Sequence, residues 1–154
     1  AALYAGFQAA TGDVIVTMDA DLQNDPADPR QMIEYYGDYD MVNGWRFDRQ
    51  DTRSKKIASK IGNGFRNWLT KETIHDTGCS LKIMNAAMLK RIRIYRGLHR
   101  FLPTLMRLEG AKIIEVKVNH RQRRFGESKY TNLQRGIEGF YDVIVVRWMQ
   151  RRYL

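Results

Sequence analysis

The sequence predicts an α/β domain built on a mainly parallel sheet. Short β-branched or alternating apolar runs recur at 13–18, 39–45, 81–84 and 112–119, and stretches of helical spacing separate them. The first strand, helix and second strand follow one another as a right-handed parallel unit does. A length of 154 residues suits one domain with a real core, and 44% apolar against 28% charged residues argues against disorder.

Leu3, Phe7 and Ala10 lie at helical spacing and Gly12 stops the helix they define. Val14, Ile15 and Val16 then form a buried-type strand, Asp13 to Met18. Asp25-Pro26 and Asp28-Pro29 signal a turn and a helix start, and Met32, Ile33 and Tyr36 carry that helix to Gly37. Tyr39 to Trp45 is the second strand, and Arg46 emerges just beyond it. In Arg53 to Lys71 the apolar stripe Ile57, Ile61, Phe65, Trp68 and Leu69 is assigned to the core, with Lys55, Lys56, Lys60 and Arg66 off it. A strand Leu81 to Met84 and short helices Ala86 to Ile92 and Arg100 to Leu108 follow. Lys112 to Asn119 alternates as a half-exposed strand near a sheet edge does. The final stretch, 132–154, is an amphipathic helix with aromatic residues and Arg147, Arg151 and Arg152, suited to packing on the domain or to lying in a membrane interface. The expected division is a catalytic domain over 1–131 and this helix over 132–154.

The most informative stretch is Asp13 to Asp25. Asp19 and Asp21 stand two apart where the first strand ends, and Gln23 adds a neutral oxygen. Hard oxygen donors suit a hard cation, and Mg²⁺ typically takes one or two carboxylates and completes its shell with water and substrate phosphate. Ligands in open α/β sheets gather outside the carboxyl ends of strands. A solvated turn is the competing reading of the same residues. Asp76, in His75-Asp76-Thr77-Gly78-Cys79-Ser80, suits a base or a substrate anchor, but by itself reads first as a turn or capping residue. Arg46 suits either a phosphate or the screening of the acidic loop. The basic loop 120–130 holds Arg123, Ser128 and Lys129 around Gly126, a phosphate cradle or a solvated loop.

Net charge is +9, unevenly divided. Residues 1–52 carry three Arg/Lys against ten Asp/Glu, a balance of −7, and residues 53–154 carry 23 against seven, a balance of +16. Such a chain can hold a metal on one wall of a site and an anionic partner on the other. The single cysteine, Cys79, excludes an internal disulfide. No run approaches the roughly 18 apolar residues of a membrane span. With no initiator Met and an opening that reads as mid-helix, the chain is expected to be a fragment or a processed product.

Together, Asp19-Ala20-Asp21-Leu22-Gln23, Asp76-Thr77-Gly78-Cys79-Ser80 and Arg123-x-x-Gly126-Glu127-Ser128-Lys129 resemble the family 2 glycosyltransferases that act on polyprenyl phosphates, the dolichol-phosphate mannosyltransferases and bacterial undecaprenyl-phosphate glycosyltransferases. The resemblance implies a GT-A fold, a Rossmann-like α/β/α sandwich, here lacking the family's opening strand and nucleotide-binding turn. It implies Asp76 and Asp21 as catalytic residues. Asp19, Asp21 and Gln23 would handle Mg²⁺ or Mn²⁺ and the donor diphosphate. Arg46, Lys55, Arg123, Ser128 and Lys129 would surround the acceptor phosphate. The implied partners are a UDP- or GDP-sugar, a polyprenyl phosphate and the cytoplasmic face of a membrane, with no nucleic acid, and the fragment alone is expected to be inactive. Competing classes are a basic nucleic-acid-binding module, which leaves Asp-x-Asp unexplained, and a metal-dependent phosphohydrolase.

Overall fold

The computed structural model describes residues 2–48, 53–93, 95, 97–121 and 132–152. Helix α1 (Ala2–Ala9) seats Phe7 in the core, and strand β1 (Val14–Thr17) buries Ile15 while Val16 faces outward. Helix α2 (Asp28–Met32) has Pro29 in its first turn and tightens into a 3₁₀ turn over Ile33–Tyr35. Strand β2 (Met41–Arg46) is followed by α3 (Arg53–Thr70), β3 (Lys82–Asn85) and α4 (Ala86–Arg91), whose N-cap Asn85 accepts from the Met88 amide. The helix expected from Arg100 is a 3₁₀ turn over Leu98–Phe101 leading into α5 (Leu102–Leu108), because Pro103 fixes the start of the α-helix. Strand β4 (Ile113–Val118) and helix α6 (Asn132–Arg152) complete the described elements.

Among the described residues the sheet order is β1-β3-β2-β4, with β4 at an edge as the alternation predicts. Strands β1, β2 and β4 share one direction, but β3 lies antiparallel between β1 and β2, so only β2 and β4 pair in parallel. The mainly parallel sheet is thus corrected in its pairing. The cause is the segment 74–81, which returns to the edge where β1 and β2 leave the sheet: the Ser80 carbonyl accepts from Thr17 Oγ1 and the Leu81 carbonyl from the Gly44 amide. A strand entered from that edge must run back.

The two-residue period of the strands sorts the core into two layers. Ile15, Met41 and Met84 face Phe7, Leu89, Leu105, Val143 and Val146 on one side of the sheet. Val42, Ile83 and Val118 face Met32, Cys79 and Leu81 on the other. Helix α6 is tied down further by Gln150 Nε2, which donates to the Thr70 carbonyl at 2.9 Å, and by the Asp142 carboxylate, which lies where a side chain on Gly97 would stand.

One expectation fails clearly. Helix α3 forms, but Ile57, Ile61, Phe65 and Trp68 are exposed, Ile61 at 68% and Trp68 at 75%. Its buried face is polar instead: Arg66 and Thr70 are buried, and Asn63, Arg66 and Asn67 are bonded to residues 74–77. Those bonds fix the rotation of the helix and turn the apolar stripe outward; only Leu69 packs against the core.

Candidate functional site

The site is organised by the segment 74–81. Most of its backbone carbonyls are held by side chains from other elements. Arg66 Nη2 and Asn67 Nδ2 donate to the Ile74 carbonyl at 3.0 Å each, Asn63 Nδ2 to the His75 carbonyl at 2.8 Å, and Asn43 Nδ2 to the Asp76 carbonyl at 3.0 Å. Lys82 Nζ donates to the Thr77 carbonyl at 3.1 Å and to the Cys79 carbonyl, and Arg66 Nη1 donates to Thr77 Oγ1. From β4, Glu115 accepts the consecutive amides of His75 and Asp76 at 2.8 and 3.0 Å. The bonds to the buried carbonyls of Ile74, Asp76 and Thr77 remove a cost that unpaired buried backbone groups would carry, which favours one conformation of the segment. Burial pulls the Lys82 ammonium down to about 8 and lowers the Arg66 guanidinium.

This segment grips one charge cluster at each end. At the first end Asp76, buried, takes Arg46 in a two-pronged pair, Nε to Oδ2 at 2.7 Å and Nη2 to Oδ1 at 2.9 Å, and also accepts the Arg46 amide at 3.3 Å. At the other end Ser80 Oγ accepts the Asp19 amide at 3.3 Å and Asn24 Nδ2 at 3.1 Å. The acidic loop is thereby anchored to the same segment that holds the Arg46–Asp76 pair. Within it Asp21 Oδ1 accepts the Gln23 amide at 3.2 Å, and Leu22 adopts φ 63°, a strained conformation for a branched side chain of the kind that concentrates at functional sites.

The far side of the acidic loop is bonded to the end of β4. Asn119 donates twice to Asp28 at 2.9 Å, Arg121 pairs with Asp25, and Gln23 exchanges bonds with Arg121, its carbonyl accepting the Arg121 amide at 2.9 Å and its Nε2 donating to the Arg121 carbonyl at 3.3 Å. The Ala27 amide and Arg121 hold Asp25 below the usual carboxylate range.

A cleft of about 450 Å³ opens beside the pair, lined by Trp45, Arg46, Phe47, Lys60, Asn63 and His75 among others. His75 stacks on Trp45 with centroids 4.4 Å apart and hydrogen-bonds Glu115 through Nδ1 at 2.8 Å. Lys117 Nζ lies 4.2 Å from the Phe47 ring centroid. The cleft therefore joins an aromatic wall to cationic groups, a surface suited to an anion carried on an apolar molecule.

The structure places Asp19, Asp21 and Gln23 together at the end of β1, with Asp19 exposed and Asp21 half-buried. The carboxylate pair fits a Mg²⁺ or Mn²⁺ ion that draws its remaining oxygens from a diphosphate. Among the described residues no cluster of three His, Cys, Asp or Glu forms, so such an ion would depend on substrate for its shell. Gln23 uses its Nε2 as a strut to Arg121. Asp76 and Arg46, assigned from the sequence to separate roles, are partners, with Nε and Nη2 of Arg46 both donating to Asp76. Lys55 lies in the first turn of α3, and its side chain is outside the described residues, as are Arg123, Ser128 and Lys129. Sequence reasoning missed Asn43, Glu115, Lys82 and the aromatic wall. The available signal was a polar residue at an interior position of an apolar strand, as in Met41-Val42-Asn43 and Leu81-Lys82-Ile83.

The family model for glycosyl transferase family 2 matches residues 1–93, more than half of the chain. The chain belongs to glycosyl transferase family 2. Among curated members, it is 38% identical over 144 residues to the undecaprenyl-phosphate 4-deoxy-4-formamido-L-arabinose transferase of Pectobacterium carotovorum subsp. carotovorum (strain PC1), covering 93% of this chain and 44% of that protein. It is 36% identical over 156 residues to the dodecaprenyl-phosphate galacturonate synthase of Rhizobium johnstonii, covering 98% of this chain and 46% of that one. The chain thus spans a little under half the length of these relatives. Glucosyl-3-phosphoglycerate synthase from Mycobacterium tuberculosis, solved in complex with UDP, superposes with a TM-score of 0.67 at 14% identity, covering 96% of this chain and 54% of that chain. This likeness shows the fold, and the family 2 chain accordingly has the GT-A α/β/α arrangement expected from its motifs.

Proposed function

We propose that the full-length protein transfers a sugar from a UDP- or GDP-sugar to a polyprenyl phosphate, with inversion, at the cytoplasmic face of a membrane. Family membership and the printed activities of the two curated relatives support the reaction class. The observation that carries the reading is the segment 74–81, which fixes the Asp19/Asp21 loop at one end and the Arg46–Asp76 pair at the other. One wall then suits a metal-bound diphosphate and the adjoining cleft suits a phosphate bearing an apolar chain.

The nucleophile is the acceptor phosphate. With a second pKa of about 6, it is already mostly a dianion near pH 7, so a strong base is unnecessary. Asp76 acts as a positioner: its carboxylate is spent on Arg46, which it holds at the cleft. Lys60 and Arg46 meet the acceptor phosphate from the described side, and Lys55, Arg123, Ser128 and Lys129 complete its surroundings. Asp19 and Asp21 would hold the divalent metal, which would supply charge stabilisation for the departing nucleoside diphosphate. Gln23 keeps the acidic loop against the root of the basic loop. The catalytic gain is electrostatic preorganisation, cations fixed between two anions that must approach.

Asp21→Asn in the full-length enzyme is expected to lower metal-dependent transfer by about 10²- to 10³-fold, the scale for losing one preorganised electrostatic partner. Mn²⁺ binding, followed by electron paramagnetic resonance in the presence of nucleoside diphosphate, should weaken in parallel. Undiminished turnover and Mn²⁺ affinity would remove Asp21 from the site.

A further inference from the structure

Glu115 does more than hold the backbone of segment 74–81. Its two oxygens are both occupied: Oε1 accepts the Asp76 amide at 3.0 Å and Asn43 Nδ2 at 3.3 Å, while Oε2 accepts the His75 amide and His75 Nδ1, each at 2.8 Å. The Glu115 side chain is 10% exposed and that of His75 62% exposed, so the pair runs from the interior to the surface. An ionised carboxylate only accepts, and Nδ1 therefore carries the ring proton. Stacking on Trp45, with planes 14° from parallel, fixes the ring a second time.

The consequence falls on the other nitrogen. Nε2 makes no bond among the described residues and, with Nδ1 turned to β4, stands on the far side of a ring that lines the cleft with Arg46, Lys60 and Asn63. In the neutral ring it is a bare lone pair. Asp76 lines the same cleft, but each of its carboxylate oxygens is bonded to Arg46. A cleft that gathers cations for an anion thus also presents an oriented proton acceptor.

We infer that His75 is the base for the acceptor phosphate and the counter-ion of the dianion it forms. This rests on the function proposed above and gives it a further catalytic residue. A phosphate monoester has a second pKa of about 6, so part of it reaches the cleft with one proton still attached. The Nε2 lone pair takes that proton: the phosphate O–H bond breaks with its electrons left on oxygen, and the Nε2–H bond forms. A dianion then faces an imidazolium whose charge Glu115 offsets. Sugar transfer turns the dianion into a singly charged phosphodiester, and the imidazolium returns its proton to water. The diphosphate of a nucleotide sugar, esterified at both ends, has no such proton to give, so the chemistry selects the acceptor.

The test uses the full-length protein in detergent micelles, labelled with ¹⁵N at histidine, with farnesyl phosphate as the probe and UDP-glucose with Mg²⁺ as the control. His75→Gln assigns the ring resonances by their loss. Farnesyl phosphate should move Nε2 from the position of a bare nitrogen toward that of a protonated one, and UDP-glucose should leave it in place. Calorimetry reads binding of the probe separately. Binding without a response at Nε2 would overturn the role of His75 and leave the proposed function standing, whereas no binding would overturn both. A response to UDP-glucose would place the donor at His75 and also overturn the inference. In turnover, His75→Gln should lower kcat/KM for the acceptor by about 10²-fold near pH 6.5 with the donor KM unchanged, because Gln offers an N–H but takes no proton. The advantage of wild type needs the shared proton, so its ratio to the variant should fall as pH rises from about 6 to 9. The charged groups around the ring, Glu115 and Lys117 from β4, Arg46 from β2, Lys60 from α3 and the neighbouring Asp76, are common to both proteins and cancel in that ratio. A constant ratio, or a matching rise in the donor KM, would mean that His75 only braces the segment.

Discussion

Asp76 is held by two donors of one guanidinium, and its own amide is held by Glu115. Removing one partner of a buried pair leaves the other unpaired, so Asp76→Ala should destabilise the domain by about 3 kcal/mol. Asp76→Asn keeps the shape but loses the charge, and should reduce transfer mainly through a raised KM for the acceptor, because Arg46 loses its orientation; an unchanged acceptor KM would argue against the positioning role. Lys82 makes a prediction in pH. Its pKa of about 8 lies below the ordinary 10.5, so above about pH 8 the unfolded chain binds a proton that the folded chain has lost. Stability from this group therefore rises with pH through that window, by at most about 1.4 kcal/mol per unit, and is lost as pH falls through 8. Burial raises Cys79 and acts in the opposite sense once its unfolded thiol ionises. The difference in urea stability between wild type and Lys82→Met, measured from about pH 7.5 to 9, should grow with pH; a flat difference would contradict the assignment. The position of Asp-x-Asp at the end of β1 was legible because a short apolar run leads directly into it. Glu115 and Lys82 were not, because what they bind is backbone far away in sequence.

At the scale of elements, the positions of strands and helices were legible from periodicity, and their boundaries moved by a residue or two. The sense of β3 was not, since the reversal is made by segment 74–81 and its bonds to Thr17 and Gly44 rather than by any pattern within the strand. Helix α3 shows the other limit: period 3.6 reports that a helix has an apolar face and says nothing of which face is buried. Gly44 marks where segment and strand meet. A Cβ there would stand 2.9 Å from both Cys79 Sγ and the Leu81 carbonyl and 3.2 Å from Val118 Cγ2. Gly44→Ala should cost about 1–3 kcal/mol and displace the segment. Gly62, in α3, has nothing within 4 Å of such an atom, and Gly62→Ala should stabilise by about 0.5–1 kcal/mol. Thermal unfolding of the two variants checks both, and equal effects would contradict the close packing at Gly44.

For the whole molecule, the acidic and basic halves are joined where Asp25 and Asp28 meet Arg121 and Asn119, at the root of the basic loop. Their separation in sequence thereby becomes contact at the end of β4. This division of charge is what a reaction between a diphosphate donor and a phosphate acceptor requires. Its most direct test is mass spectrometry of the lipid after the full-length enzyme is incubated with Mg²⁺, undecaprenyl phosphate in vesicles and a panel of UDP- and GDP-sugars. The expected product is a glycosyl phosphate lipid from one donor, absent after chelation and in Asp21→Asn. No glycosylated lipid with any donor, or a product that persists at full yield after chelation, would contradict it.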